Sequence, residues 1–181
     1  MKLLLTLLFS LFLFYESDEL ILLEQPTINA VAAFEESKNG KLIPQSSGIS
    51  YSISPSLCPE VEEYDFAEPV KYARPGKDMP PLDISYYYSK SDSKVRCVTY
   101  TVWYPQDGSL ADKELTFYQN LFEITAANFS KDLGQPDMIE REFRDNKMRV
   151  KWEKEEFLLT GSLSSYNKRI RYVQRWVDQS N

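Results

Sequence analysis

The segment LDISYYYSKSDSKVRCVTYTVWY, Leu82 to Tyr104, constrains the fold more than any other part of the chain. Two runs in it alternate with period two. Leu82, Ile84, Tyr86 and Tyr88 share one parity, and Val98, Tyr100, Val102 and Tyr104 share another. Each run therefore lines up its apolar residues on one side of an extended strand. The polar stretch Ser89–Lys94 between them is short, so the two runs read as an antiparallel hairpin. A lone strand pair with one ring-rich apolar face is marginal in water and needs a cover.

The next stretch, QDGSLADKELTFYQNLFEITAANFSKDLGQP, supplies that cover. Ser109 stands at an N-cap position with Asp112 three residues on, and Gly134 followed by Pro136 forms a stop. Leu115, Tyr118, Phe122, Ala126, Phe129 and Leu133 recur at helical spacing and form one apolar stripe. Strand patterns follow at Ile139–Arg144, Met148–Glu153, Glu156–Leu163 and Lys168–Val177. The order is β-β-α-β-β-β, with one more strand in the C-terminal meander. With so few helical crossovers the sheet is expected to be mostly antiparallel. The fold class is α+β, a two-layer sandwich with one long helix packed on one face of the sheet.

Ahead of this domain, TINAVAAFEESKNG reads as a short helix from the Thr27 cap to the Asn39-Gly40 stop. From Gly40 to Pro81 the prolines at 55, 59, 69, 75, 80 and 81 suggest a loop-like segment wrapping the domain, with one strand at Ile49–Ile53. The chain divides into 1–17, 18–81 and 82–181. The first part, MKLLLTLLFSLFLFYES, has Lys2 before a largely apolar run from Leu3 to Phe14 that Glu16 closes, a signal-peptide pattern. Twelve residues span only about 18 Å as helix, short of the roughly 30 Å hydrocarbon core. Export is expected, to the periplasm, the outer surface or the medium, with membrane contact through this segment alone. The nearest small-residue cleavage option is around Ser17.

The succession of YYYSKSDSKVRCVTYTVW, a capped helix ending LGQPD, and a short meander with MRVKW resembles small exported proteins of Bacteroidetes that carry no assigned function. The likeness covers about residues 82–177. It implies export and this fold, and brings no residue roles.

Composition removes several chemistries. The chain holds 21 basic against 27 acidic residues, a net charge of −6, so it lacks a general attraction to phosphate backbones and no nucleic-acid partner is expected. There is no histidine, which removes the commonest general base and the Ser-His and Cys-His nucleophile pairs. Cys58 and Cys97 without histidine make no ordinary zinc site, and neither metal nor cofactor is expected. In an oxidising compartment one disulfide between them would close a loop of about 40 residues and stabilise by roughly 3 to 4 kcal/mol. Two separate buried thiols are the other reading. The acidic cluster Glu60, Glu62, Glu63, Asp65 and Glu68 lacks the alternation of a calcium loop and reads as a solvated surface.

Two features remain as candidate surfaces. KRIRYVQRW sets Lys168, Arg169, Arg171 and Arg175 among apolar residues. Such interleaving can take single-stranded nucleic acid or an acidic polymer, but a charged outer face that guards an edge strand accounts for it more simply. The second face of the hairpin, Tyr87, Val95, Cys97, Thr99, Thr101 and Trp103, is either covered by the segment 41–81 or stays open. If open, Tyr87 and Trp103 are the binding anchors.

The expected function is therefore that of an exported non-catalytic binding or envelope-associated protein, its partner a protein or glycan at the cell envelope. A secreted inhibitor or immunity-type protein acting through a sheet face, with acidic loops against a basic enzyme, is one alternative. A carboxylate-dependent enzyme is another, and it would need two carboxylates in unlike environments within an open pocket.

Overall fold

The alternating segments form strands, and they join into one sheet. In the computed structural model, which describes residues 22, 24–44, 54–55, 57–59, 63–76, 80–104, 112–142, 147–164 and 169–176, the elements run α1 (Ile28–Ser37), β1 (Lys41–Leu42), β2 (Val70–Arg74), β3 (Leu82–Tyr88), β4 (Val95–Trp103), α2 (Asp112–Leu133), β5 (Met138–Glu142), β6 (Lys147–Glu153), β7 (Phe157–Ser164) and β8 (Arg169–Trp176). The eight strands lie in the order β1-β2-β3-β4-β8-β7-β6-β5, with every pair antiparallel. An antiparallel sheet with helices is thus the architecture. The signal segment, the strand expected at 49–53 and the helix cap at Ser109 lie outside the described residues.

One face of the sheet carries the core. Register places Tyr72, Ile84, Tyr100, Tyr172 and Gly161 in one row across five strands, with Leu82, Val102, Ile170 and Leu163 beside it. Rings from α2 settle on this face: Phe122 stacks on Tyr172 with centroids 5.5 Å apart, and Phe129 meets Tyr172 and Trp152 edge-on. Of the expected helical stripe, Tyr118, Phe122, Phe129 and Leu133 are buried. The Trp152 indole donates to the carbonyl of Gly134, which takes φ +77° and ends α2 as the sequence anticipates. Gly161 is the hollow in the row. A Cβ there would meet the Tyr172 ring and Val150 at less than the closest normal approach, so only glycine lets Tyr172 lie flat beneath α2.

α1 docks on the same face through a charge. Glu35 is fully buried; its carboxylate accepts two bonds of 2.8 Å from the Arg74 guanidinium and one from the Tyr86 hydroxyl. Burial first, then the neighbouring Tyr100 and Glu35 charges, push the Tyr86 phenol far above its ordinary range. The stretch preceding α1 is also fixed, because the Gln174 side-chain amide bonds both the N–H (3.3 Å) and the carbonyl (2.5 Å) of Leu22.

Three expectations change, and one open alternative is decided. Residues 66–74 add to the sheet in its own plane: Phe66 bridges Ser89, the Ala67 amide donates to Tyr88, and β2 pairs β3, so this part of the segment extends the edge and does not wrap the face. The register shifts by one beyond Tyr87, setting Tyr88 opposite Val95, so Val95 turns into the core. No disulfide joins Cys58 and Cys97; both are buried as thiols, the second of the two readings left open by the sequence. Finally, β8 is no edge strand. It sits between β4 and β7, and the edge is guarded instead by β5, whose Glu140, Arg141 and Glu142 are exposed, and by the two-residue β1.

Candidate functional site

The face opposite the helices is assembled by parity from β3, β4, β8, β7 and β6. Its rows read Tyr87–Cys97–Arg175–Leu158, then Ser85–Thr99–Val173–Thr160, then Asp83–Thr101–Arg171–Ser162–Arg149, then Trp103–Arg169–Ser164. The two anchors expected from the sequence both belong to it, but they stand at opposite ends. Cys97, the partner of Tyr87, and Trp103 are six residues apart on β4, about 20 Å along the strand.

The Tyr87 end is closed. Cys97 has no exposed surface, Thr99 is buried, and Tyr87 itself is half-buried with its hydroxyl sharing hydrogen bonds with Thr99 and Ser85. Burial, followed by the neighbouring Cys97, raises the Tyr87 phenol above its ordinary range. Arg96, the bulged residue, bonds Asp92 at 2.6 Å and lies over the Tyr64 ring at 4.5 Å. At the tip of the β3–β4 hairpin, Asp65 accepts from the Ser89 and Ser91 hydroxyls, and those bonds hold its carboxyl below the ordinary value. Of the acidic cluster, Asp65 thus serves the turn. Among the described residues no group of three or more acidic, cysteine or histidine side chains could hold a metal.

The Trp103 end is open. Trp103 is 40% exposed, while Trp152 and Trp176 are buried. Its indole N–H donates to Asp83 Oδ2 at 2.8 Å, fixing the ring, and the Arg169 guanidinium lies 5.8 Å from the ring centroid. Arg171 lies one row further in. It is half-buried, and among the described residues its Nε has no acceptor and no carboxylate pairs with it. Burial, then repulsion from Arg169, lowers its pKa. Charges further out on this face behave differently: Arg149 approaches Glu140 at 3.6 Å and Lys151 approaches Glu153 at 3.1 Å. Among the described residues Arg149 and Lys151 thus have carboxylate partners, whereas Arg169 and Arg171 on β8 have none.

Trp103 and Tyr87 stand out in the sequence, whereas the arginines of β8 read there as guards of an edge and Asp83 does not stand out. Asp83 has the parity of Tyr87 and was legible in that sense. The centrality of β8 was not, because strand order across a sheet leaves no local mark.

A second concavity lies between α2 and β5–β6, lined by Gln119, Asn120, Glu123, Arg141, Glu142 and Lys147. Its two carboxylates are alike: Glu123 bonds Arg141 at 3.0 Å, Glu142 bonds Lys147 at 3.3 Å, and both are about half exposed. A carboxylate mechanism needs unlike partners. Comparison of the chain with protein-family models, with curated proteins and with solved structures finds no match in any of the three. No helix among the described residues is long and apolar enough to cross a membrane.

Proposed function

We propose that this chain is an exported, non-catalytic binding protein of the cell envelope, with the Trp103 end of the helix-free sheet face as its contact surface. In this reading the fold is a two-layer α+β sandwich, the long helix α2 and the shorter α1 on one side, which gives the binding face a rigid back. The observation that carries the reading is the exposed, hydrogen-bonded Trp103 beside Arg169 and Arg171, two cations of the interior strand β8 that have no carboxylate partner among the described residues. An exposed ring held in place loses little conformational freedom on binding, and partly desolvated guanidinium groups gain from an anion. The same cations disfavour an inhibitor directed at a basic enzyme, since like charges would meet.

The test has two arms. A C-terminally tagged full chain, expressed in a bacterial host and fractionated, is expected outside the cytoplasm. Panels of envelope glycans and peptides are expected to hold the wild type and to release Trp103→Ala, while Arg141→Gln in the second concavity binds unchanged. Equal binding by Trp103→Ala and wild type sinks the assignment of the face.

A further inference from the structure

Resting on that binding reading, we infer that the ligand is an acidic polysaccharide, a chain of sugar rings bearing carboxylate or sulfate groups, laid across β4 and β8 at Trp103, Arg169 and Arg171. Charge sets the first requirement. Arg169 and Arg171 are two residues apart on one strand, about 7 Å, and neither has a counter-ion among the described residues, although the protein as a whole carries a net charge of −6. The nearest carboxylate on this face in register, Asp83, is two strands away from Arg171 and committed to the Trp103 indole. Arg171 is half-buried in that condition, so an incoming anion gains a guanidinium that water already serves poorly.

Backbone chemistry sets the second requirement. β4 is paired on both sides, by β3 and β8, and β8 by β4 and β7. The site therefore offers no free ladder of N–H and C=O groups. An extended acidic peptide crossing the face would leave its own amides without partners, and it gains most at an edge. A polysaccharide has no amide ladder to satisfy. Its apolar ring faces suit a fixed indole, and its anionic groups suit the two guanidinium groups. Single-stranded nucleic acid also combines anions with stacking, but one exposed ring is a poor platform for successive bases, and the remaining rings of β8, Tyr172 and Trp176, face the core.

Affinity electrophoresis of the full chain in gels containing polygalacturonate, dextran sulfate, neutral dextran, poly-glutamate or oligo-thymidine tests this. Retardation is expected with polygalacturonate or dextran sulfate, the two distinguishing a carboxylate from a sulfate requirement, and not with neutral dextran. Arg171→Gln and Trp103→Ala should each weaken retention roughly tenfold or more, Trp103→Phe should keep most of it, and Arg141→Gln all of it. Raising salt should weaken the complex. Far-UV circular dichroism melts identify any variant that fails to fold. Retention by poly-glutamate or oligo-thymidine alone, or by neutral dextran as strongly, overturns the ligand class while leaving the face intact. Retention by the acidic polysaccharides that survives both Arg171→Gln and Trp103→Ala overturns the face itself. No retention on any gel overturns the acidic-polysaccharide assignment.

Discussion

Replacing Arg74 by methionine should unfold much of what holds α1 to the sheet, and its cost can be worked from the contacts. The Glu35 carboxylate has no exposed surface and receives two 2.8 Å bonds from Arg74, leaving only the Tyr86 hydroxyl when the guanidinium is removed. A buried charge stripped of its partner costs about 3–5 kcal/mol. With a urea slope near 2 kcal/mol per M, the unfolding midpoint should fall by about 2 M. Glu35→Leu should also destabilise, because it removes the acceptor of both 2.8 Å Arg74 bonds. The double variant Glu35→Leu/Arg74→Met removes both members of the pair, so its loss should be well below the sum of the two single losses, with a coupling of several kcal/mol. The assay is urea unfolding of the three variants followed by far-UV circular dichroism. Additive single losses, or an Arg74→Met cost under about 1 kcal/mol, would refute the view that a desolvated ion pair docks this helix.

Alkaline unfolding is expected as well. Burial raises the Tyr86, Tyr100, Tyr104 and Tyr172 phenols above the ordinary value near 10, so the unfolded chain releases these protons first. Their contribution is complete below about pH 10 and is lost as pH rises, by about 1.4 kcal/mol per pH unit for each tyrosine still protonated in the fold. After an early rise from the tyrosines that are not buried, a further rise in phenolate absorbance at 295 nm, equal to these four phenols, should coincide with the unfolding transition, and full ionisation of all twelve tyrosines ahead of unfolding would contradict it. Gly161→Ala should cost about 1–3 kcal/mol, measured by thermal melting, because a Cβ there meets the Tyr172 ring and Val150. Acrylamide should quench mainly Trp103 fluorescence, and Trp103→Phe should abolish most of that quenching, since Trp152 and Trp176 are buried.

Local chemistry was legible in the sequence to the extent that it is local. Parity placed Leu82, Ile84, Tyr86, Tyr100, Val102 and Tyr104 in the core, and the glycine stop placed the end of α2 at Leu133. Parity failed at Val95, because a bulge beyond Tyr87 costs one residue and leaves no sequence signature there. The prolines around Val70–Arg74 hid β2, although none of them falls within the strand. The site was half legible. Trp103 and Arg171 each stand out in their own segments, 68 positions apart in number, and only pairing of β4 with β8 makes them neighbours. Long-range pairing of this kind depends on the whole sheet.

That same pairing has a consequence for how the chain comes to be folded. Among the described strands β8 comes latest in sequence, and it joins β4 to β7. Before residues 169–176 emerge, a chain growing from its N-terminus holds two partial sheets, β1–β4 and β5–β7, that share no strand, each ending in an unpaired edge. Closure then depends on a segment far in sequence from its partner β4, which makes folding slow and late. A chain truncated before β8 is left with two sticky edges and a tendency to aggregate.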